Sequence, residues 1–277
     1  MASFLTKIGI SVNRIWQNNK SEVKRMLRNA AYVLFVFFVL VGIHAEVLAA
    51  EKDLAAYWAF EEGAGATAKD MSGNGNHGKI SGKVKWTEGI IGQAIECKGG
   101  TVVDCGMGES LLIDQDLTTQ FWLNPTEKIK AGMARINILY MTWGPMFAFC
   151  PAWAPDGVLY FWFDGPKPKP GVRSKIKQWE KNTWYYVVGT YDGSVVKLYV
   201  NAELQGSFNA KGDILDRQNP LKIGQNYMGI VDEVKVYSRA LTEKEVERDY
   251  KWGLAGGKAV DVSGKLPLTW GQIKSAL

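Results

Sequence analysis

Most of the chain is a succession of short hydrophobic runs separated by turn signals. Residues 54–60 (LAAYWAF) open the series, and runs at 94–97, 101–105, 118–123, 157–163, 184–191, 195–200, 221–223 and 230–236 follow. Turn clusters such as Ser72-Gly73-Asn74-Gly75-Asn76 and Gly99-Gly100 lie between them. Eight or more short strands with turns between them predict an all-β sandwich or barrel. One helix is predicted, late in the chain over 242–250. There Thr242 can act as N-cap, with Glu245 three residues on as its capping-box partner. Beyond Gly253 the glycines, Ser263 and Pro267 read as a tail over 253–277 that ends in a small amphipathic stretch, LTWGQIKSAL.

The N-terminal pattern is different in kind. Residues 30–43 (AAYVLFVFFVLVGI) form fourteen consecutive positions without a charge, preceded by Lys24, Arg25 and Arg28. As a helix this run would cover about 21 Å, short of the roughly 30 Å hydrocarbon core of a bilayer. It reads as the apolar region of a signal peptide, with Val47 and Ala49 at the small positions before a cut and a mature chain from about Ala50. A start at Met26 would give that signal an ordinary length. The alternatives are an uncleaved anchor and an amphipathic helix lying on a membrane. The expected organisation is a leader over 1–49, one domain over 50–252 and the tail. The expected location is outside the cytoplasm, with no membrane span in the mature protein.

Charge sharpens this picture. The formal net charge is +5, but the first 49 residues hold six basic and two acidic side chains, so the remainder balances 27 basic against 26 acidic. A near-neutral body gives no footprint for nucleic acid. Export implies an oxidising destination, which bears on the three cysteines. A hairpin centred on Gly99-Gly100 would set Cys97 opposite Val103 and leave Cys105 diagonal to it, a geometry that disfavours a disulfide. Cys150 has no evident partner.

Several separated segments carry a resemblance. The opening LAAYWAFEEGAGATAKDMSGNGNHGKI, the segment GIIGQAIECKGGTVVDCG, the strand TTQFWLNP, the hairpin NTWYYVVGTYDGSVVKLYVNAELQG and the closing LKIGQNYMGIVDEVKVYSRALTEKEVERDY occur in family order. Together they are similar to a laminin-G-like domain of the concanavalin A-like lectin and glucanase superfamily. The resemblance implies an antiparallel jelly-roll β-sandwich whose first and last strands lie side by side, with the short closing helix. Two positions depart from the family pattern. Tyr185 and Tyr186 stand where a histidine is usual, and Asn201-Ala202 replaces an Asn-Gly turn; alanine at a position that needs a positive φ is costly, so either the turn type is expected to differ or the loop to be longer.

Retaining glycoside hydrolysis needs two carboxylates about 5 Å apart, yet the Glu-x-Asp-x-x-Glu run of laminarinase-type members does not occur. Glu247-Arg248-Asp249 falls in the predicted helix. With two histidines, His44 and His77, of which one precedes the expected cut, neither a histidine zinc site nor a serine triad is supported. The glycines of 63–65 and 73–75 open no helix and cradle no phosphate.

The acidic turn with Asp70 and Asn74 can offer a calcium several oxygens, Asp232 and Glu61 or Glu62 could complete the shell, and the resemblance implies a structural calcium at such a place. The alternative is that Asp70 and Asn74 form Asx-turns and Asp232 is a buried acceptor. For binding, the aromatic-rich stretch 139–163 nominates Tyr160, Trp162, Trp143 and Trp153. Alternation puts Leu159, Phe161 and Phe163 on one face and Tyr160 with Trp162 on the other. That second face either exposes two stacking rings or is covered by the apolar loop before it. The loop Gly165-Pro166-Lys167-Pro168-Lys169-Pro170-Gly171 could offer Lys167, Lys169 and Arg173 to an anionic glycan or blunt a sheet edge. The expected function is a non-catalytic module that binds extracellular carbohydrate. The competing expectation is adhesion to a surface protein, and a glycan-active enzyme comes third.

Overall fold

A computed structural model describes residues 53–131, 136–141, 146–149, 157–214 and 219–257. The expected leader, most of the tail, Trp143, Cys150 and Trp153 lie outside these residues. Sixteen strands are present among them: β1 (Leu54–Trp58), β2 (Thr67–Ala68), β3 (Gly78–Ser81), β4 (Lys85–Glu88), β5 (Gln93–Lys98), β6 (Val102–Asp104), β7 (Leu117–Pro125), β8 (Ile136–Tyr140), β9 (Met146–Phe149), β10 (Leu159–Trp162), β11 (Gly171–Arg173), β12 (Tyr185–Tyr191), β13 (Val195–Val200), β14 (Glu203–Asn209), β15 (Lys222–Ile223) and β16 (Met228–Tyr237). Helix α1 (Glu243–Leu254) follows.

The strands form two antiparallel sheets, as the jelly roll requires. The first runs β14-β13-β12-β7-β16-β5-β4, with β1 also pairing β16, and the second runs β11-β10-β9-β8-β15-β6-β3-β2. Strand β16 organises the first sheet. One of its edges pairs with β7, while the other is shared end to end, β5 taking Met228–Val231 and β1 taking Val234–Tyr237. First and last strands are therefore neighbours. At the junction between β5 and β1 the strand bulges: Asp232 faces Trp122 and Lys235 faces Gln120, and Glu233 adopts a φ of 51°.

The core between the sheets collects one parity of each strand, among them Trp58, Phe121, Leu123, Phe161, Phe163, Val187, Leu198, Val231 and Val234. Strands β7 and β12 are buried at every position. Their second face is not solvated, because α1 covers it. Trp122, Tyr186, Val188, Tyr199 and Tyr237 form a second cluster with Leu241 and Val246, and Trp122 and Tyr186 lie 5.7 and 6.0 Å from Tyr250 in stacked arrangements. Gly253 is needed where the helix crosses, since a Cβ there would enter the Trp122 ring. The helix begins with the expected capping box between Thr242 and Glu245, and it runs four residues further than predicted.

Two expectations about local pairing are corrected. Cys97 and Cys105 do not flank a hairpin. β5 belongs to the first sheet and β6 to the second, so the chain crosses between sheets at Gly99-Gly100, and both cysteines are buried free thiols. Burial pushes the Cys97 thiol up to about 12, which keeps it protonated and inert. The Asn201-Ala202 turn keeps its two-residue length between Val200 and Glu203, with Asn201 at φ 52° and Ala202 at φ 63°. Alanine thus occupies a left-handed position that glycine would fill without strain.

Candidate functional site

The register of the second sheet sets a row of side chains across its outer face. Lys79 stands opposite Asp104, Asp104 opposite Lys222, Lys222 opposite Tyr140, Tyr140 opposite Met146, Met146 opposite Trp162 and Trp162 opposite Gly171. Beside this row, Tyr160 pairs with Arg173 on one side and with Ala148 on the other. Because side chains alternate, these positions face away from Phe161, Leu139, Ile223 and Val103, which point into the core. Polar groups line one half of the row and rings the other. Lys222 lies 3.9 Å from Asp104, and Asn137 donates from Nδ2 to Oε1 of Gln225 at 3.0 Å.

The aromatic half is less open than two exposed stacking rings would be. Tyr160 is half-buried, but Trp162 is only 4% exposed and Tyr140 7%. These three form a small cluster of their own. The ammonium of Lys169 sits 4.8 Å from the centre of the Trp162 ring and pairs with Asp164 at 2.5 Å, and the Arg173 guanidinium lies 5.8 Å above Tyr160. Gly171 permits this packing, because a Cβ there would fall on the Tyr160 hydroxyl. Sequence reasoning found the face through alternation and held Tyr140 within the aromatic-rich stretch, but missed Lys222, Asp104 and Lys79, which only cross-strand register brings beside it.

The four residues nominated for calcium occupy two hydrogen-bonded turns. Asp70 Oδ1 accepts the N–H groups of Tyr57 and Ser72 at 3.0 and 2.9 Å, and Oδ2 accepts the Asn76 N–H and Nδ2 at 2.9 and 3.1 Å. Burial pushes this carboxyl up, but those bonds outweigh it and hold it below its ordinary range. Four donors use the lone pairs a cation would need. Asn74 donates from Nδ2 to the carbonyls of Leu54 and Ala55, each at 3.0 Å.

In the turn between β4 and β5, Asp232 accepts the N–H groups of Ile90 and Ile91 at 2.9 and 3.2 Å, and Glu61 accepts that of Gln93. Arranged so, the four do not make one oxygen shell. Among the described residues no three His, Cys, Asp or Glu side chains gather to hold a metal. His77 accepts the Asp70 N–H through Nδ1 at 3.0 Å, a structural duty in the same turn.

A second polar cluster lies under α1. Tyr57 donates its hydroxyl to Glu233 at 2.7 Å, and the Lys235 ammonium is held between the Tyr57 and Trp252 rings at 4.7 and 4.9 Å, 3.9 Å from Glu233. Burial drives Asp232 and Glu233 upward, and for Asp232 the neighbouring Glu233 adds to the rise. Glu233 is committed to this cluster and Asp232 to the turn between β4 and β5. Of the helical acids, Glu247 pairs with Lys251 at 2.6 Å and Asp249 with Arg248 at 2.9 Å.

Two sheets of this topology, with terminal strands adjacent and a closing helix on one outer face, define the lectin-like jelly-roll class. A model of the concanavalin A-like lectin/glucanases superfamily, in its laminin-G branch, matches residues 98–247, and the chain belongs to that family. Solved structures share the fold. Domain 4 of AbnA, a GH43 extracellular arabinanase from Geobacillus stearothermophilus, solved in complex with arabinotriose, superposes with a TM-score of 0.57 at 20% identity, over 71% of this chain and 97% of that domain. The binding domain of Paraclostridial Mosquitocidal Protein 1 gives 0.58 at 19% identity, over 72% of this chain and 52% of that one. The binding domain of botulinum neurotoxin serotype D gives 0.56 at 14% identity, over 73% and 52%. This chain therefore spans about half the length of those two toxin domains. No curated protein matches the sequence. Among the described residues no helix is long and apolar enough to cross a membrane.

Proposed function

We propose that this protein is a non-catalytic extracellular binding module that takes a glycan on the outer face of its second sheet. The observation that carries the reading is the row across that face. Lys79, Asp104 and Lys222 supply hydrogen-bonding groups on three successive strands, Lys222 stands beside Tyr140, and Trp162 with the half-open Tyr160 lies two strands beyond Tyr140. Sugars are bound by rings against their C–H faces and by polar groups at their hydroxyls, and this face sets Lys222 one strand from Tyr140 and Arg173 one strand from Tyr160. The arabinotriose held by the arabinanase domain of the same fold supports the ligand class. The apolar run 30–43 with its basic flank supports export. Hydrolysis would need two carboxylates about 5 to 9 Å apart across a cleft, whereas Asp232 and Glu233 are spent on backbone N–H groups and on Tyr57.

The test is a glycan array with the full chain and with Tyr160→Ala, folding verified by circular dichroism. We expect saturable binding to one glycan class, weakened about tenfold or more by the substitution, in line with the loss of one stacking contact. A folded protein that binds no glycan, or a variant that binds as well as the parent, overturns the reading. Adhesion to a protein is the second reading. It is favoured by Met71, Met107 and Leu112, exposed by 44 to 51% on turns joined through Asn76 and Ser110.

A further inference from the structure

We infer that the proline-lysine turn after β10, together with the segment that pairs with it, is an anion-binding edge that recognises the acidic groups of a polysaccharide, as sulfate ester or uronate. The inference rests on the glycan reading above and names the class of glycan. Charge distribution is the first support. Residues 164–182 carry six basic and two acidic side chains, whereas the rest of the chain beyond residue 49 carries 21 basic and 24 acidic. Lys167, Lys169, Arg173, Lys175, Lys177 and Lys181 are all exposed.

Geometry is the second and stronger support. Lys167 and Lys211 exchange both backbone hydrogen bonds, at 2.8 and 3.0 Å, as an isolated antiparallel bridge. Residues paired in this way point their side chains to the same side, about 5 Å apart at Cβ, and like charges so placed repel. Both lysines are exposed, and neither ammonium has an ion-pair partner among the described residues. An anion between them turns that repulsion into two attractions.

The edge strand β11 accounts for part of the composition, because Pro and Lys at an edge discourage pairing with other chains. Edge protection does not call for two lysines directly opposite each other. Pro166, Pro168 and Pro170 fix the turn, so little ordering is needed when a ligand arrives. The turn also reaches the aromatic face, since Lys169 lies on Trp162 and Arg173 on Tyr160. A polysaccharide that crosses Tyr160 would meet these charges along one continuous path.

The experiment uses the full chain, immobilised dextran sulfate, polygalacturonate and neutral dextran, and a series of salt concentrations. The variants are Lys167→Glu/Lys211→Glu and a charge-matched control, Lys83→Glu/Lys244→Glu, at exposed sites elsewhere. We expect the parent to be retained by at least one acidic polymer and released by salt. The lysine-pair variant should lose about tenfold or more in affinity near 0.15 M salt, a loss of the size expected for two reversed exposed contacts, and the control should match the parent. Equal behaviour of the two double variants overturns the proposal. So does tighter binding of the parent to anionic vesicles or single-stranded DNA than to the acidic polysaccharides. Neutral-glycan binding on the array with no acidic-polymer retention sinks this inference alone, while a folded protein that binds no glycan of any kind sinks both.

Discussion

On the outer face of the first sheet, Trp122, Tyr186, Tyr199 and Tyr237 are sealed beneath α1, while on the outer face of the second, Tyr140 clusters with Trp162 and Tyr160, which stand under the side chains of Lys169 and Arg173. Both faces began as aromatic strips on twisted antiparallel sheets. The first is closed by the chain itself, with stacked rings, a capping box and the Tyr57–Glu233–Lys235 network fixing the helix in place. On the second, the contacts over the rings are made by cationic side chains, Lys169 on Trp162 and Arg173 on Tyr160. A jelly roll has two outer faces, and here the chain spends one of them on completing its core, so the glycan proposed above is assigned to the other.

That contrast can be broken most severely at Trp122. This side chain is 2% exposed between two tyrosine rings and the helix backbone. Trp122→Ala should cost about 3–5 kcal/mol of stability, the range for a buried aromatic truncation, as read from denaturant midpoints. Where the variant is still folded, its glycan binding should equal the parent's. A loss of binding without a loss of stability would show that the two faces are not separate in function.

A smaller effect of opposite sign is expected at Ala202, which packs against the covered cluster at φ 63°. Ala202→Gly should raise stability by about 1 kcal/mol, because relief of the left-handed strain exceeds the entropic penalty of glycine. A lower melting temperature in this variant would refute the strained-turn description.

The smallest effect concerns acid. Burial pushes the Glu245 carboxyl up, but the Arg239 guanidinium and the Thr242 cap hold it down from 4.5 to about 2. A depressed folded value stabilises the protein above the unfolded value and is lost as pH falls. Glu245→Gln should therefore lower the melting temperature slightly at pH 7, with a difference that shrinks between about pH 4.5 and 2. Asp232 and Glu233 act in the opposite direction, since burial raises both and their ionisation opposes folding as pH rises. A melting difference for Glu245→Gln that persists unchanged to pH 2 would remove the helix cap from the account of this face.

Much of the architecture was legible in local pattern. Alternation identified the strands, the Thr242–Glu245 spacing announced the helix, and the order of the quoted segments indicated the family now matched over residues 98–247. The candidate site was legible only in part. Alternation at residues 158–163 placed Tyr160 and Trp162 outward, but Lys222, Asp104 and Lys79 come from three other strands and share no sequence neighbourhood with them.

What the sequence determined by itself is what depends on neighbours in the chain: which residues form strands, which face each side chain takes, where the helix is capped and where charge accumulates. The tertiary structure decided everything set by pairing at long range. It sent β5 and β6 to different sheets, turned Asp232 into the acceptor for a distant turn, laid Lys169 over Trp162 and set Lys167 against Lys211. The physical reason is that a period of two fixes a side chain's direction but not its partner strand, and the partner is chosen by the burial of a whole sheet.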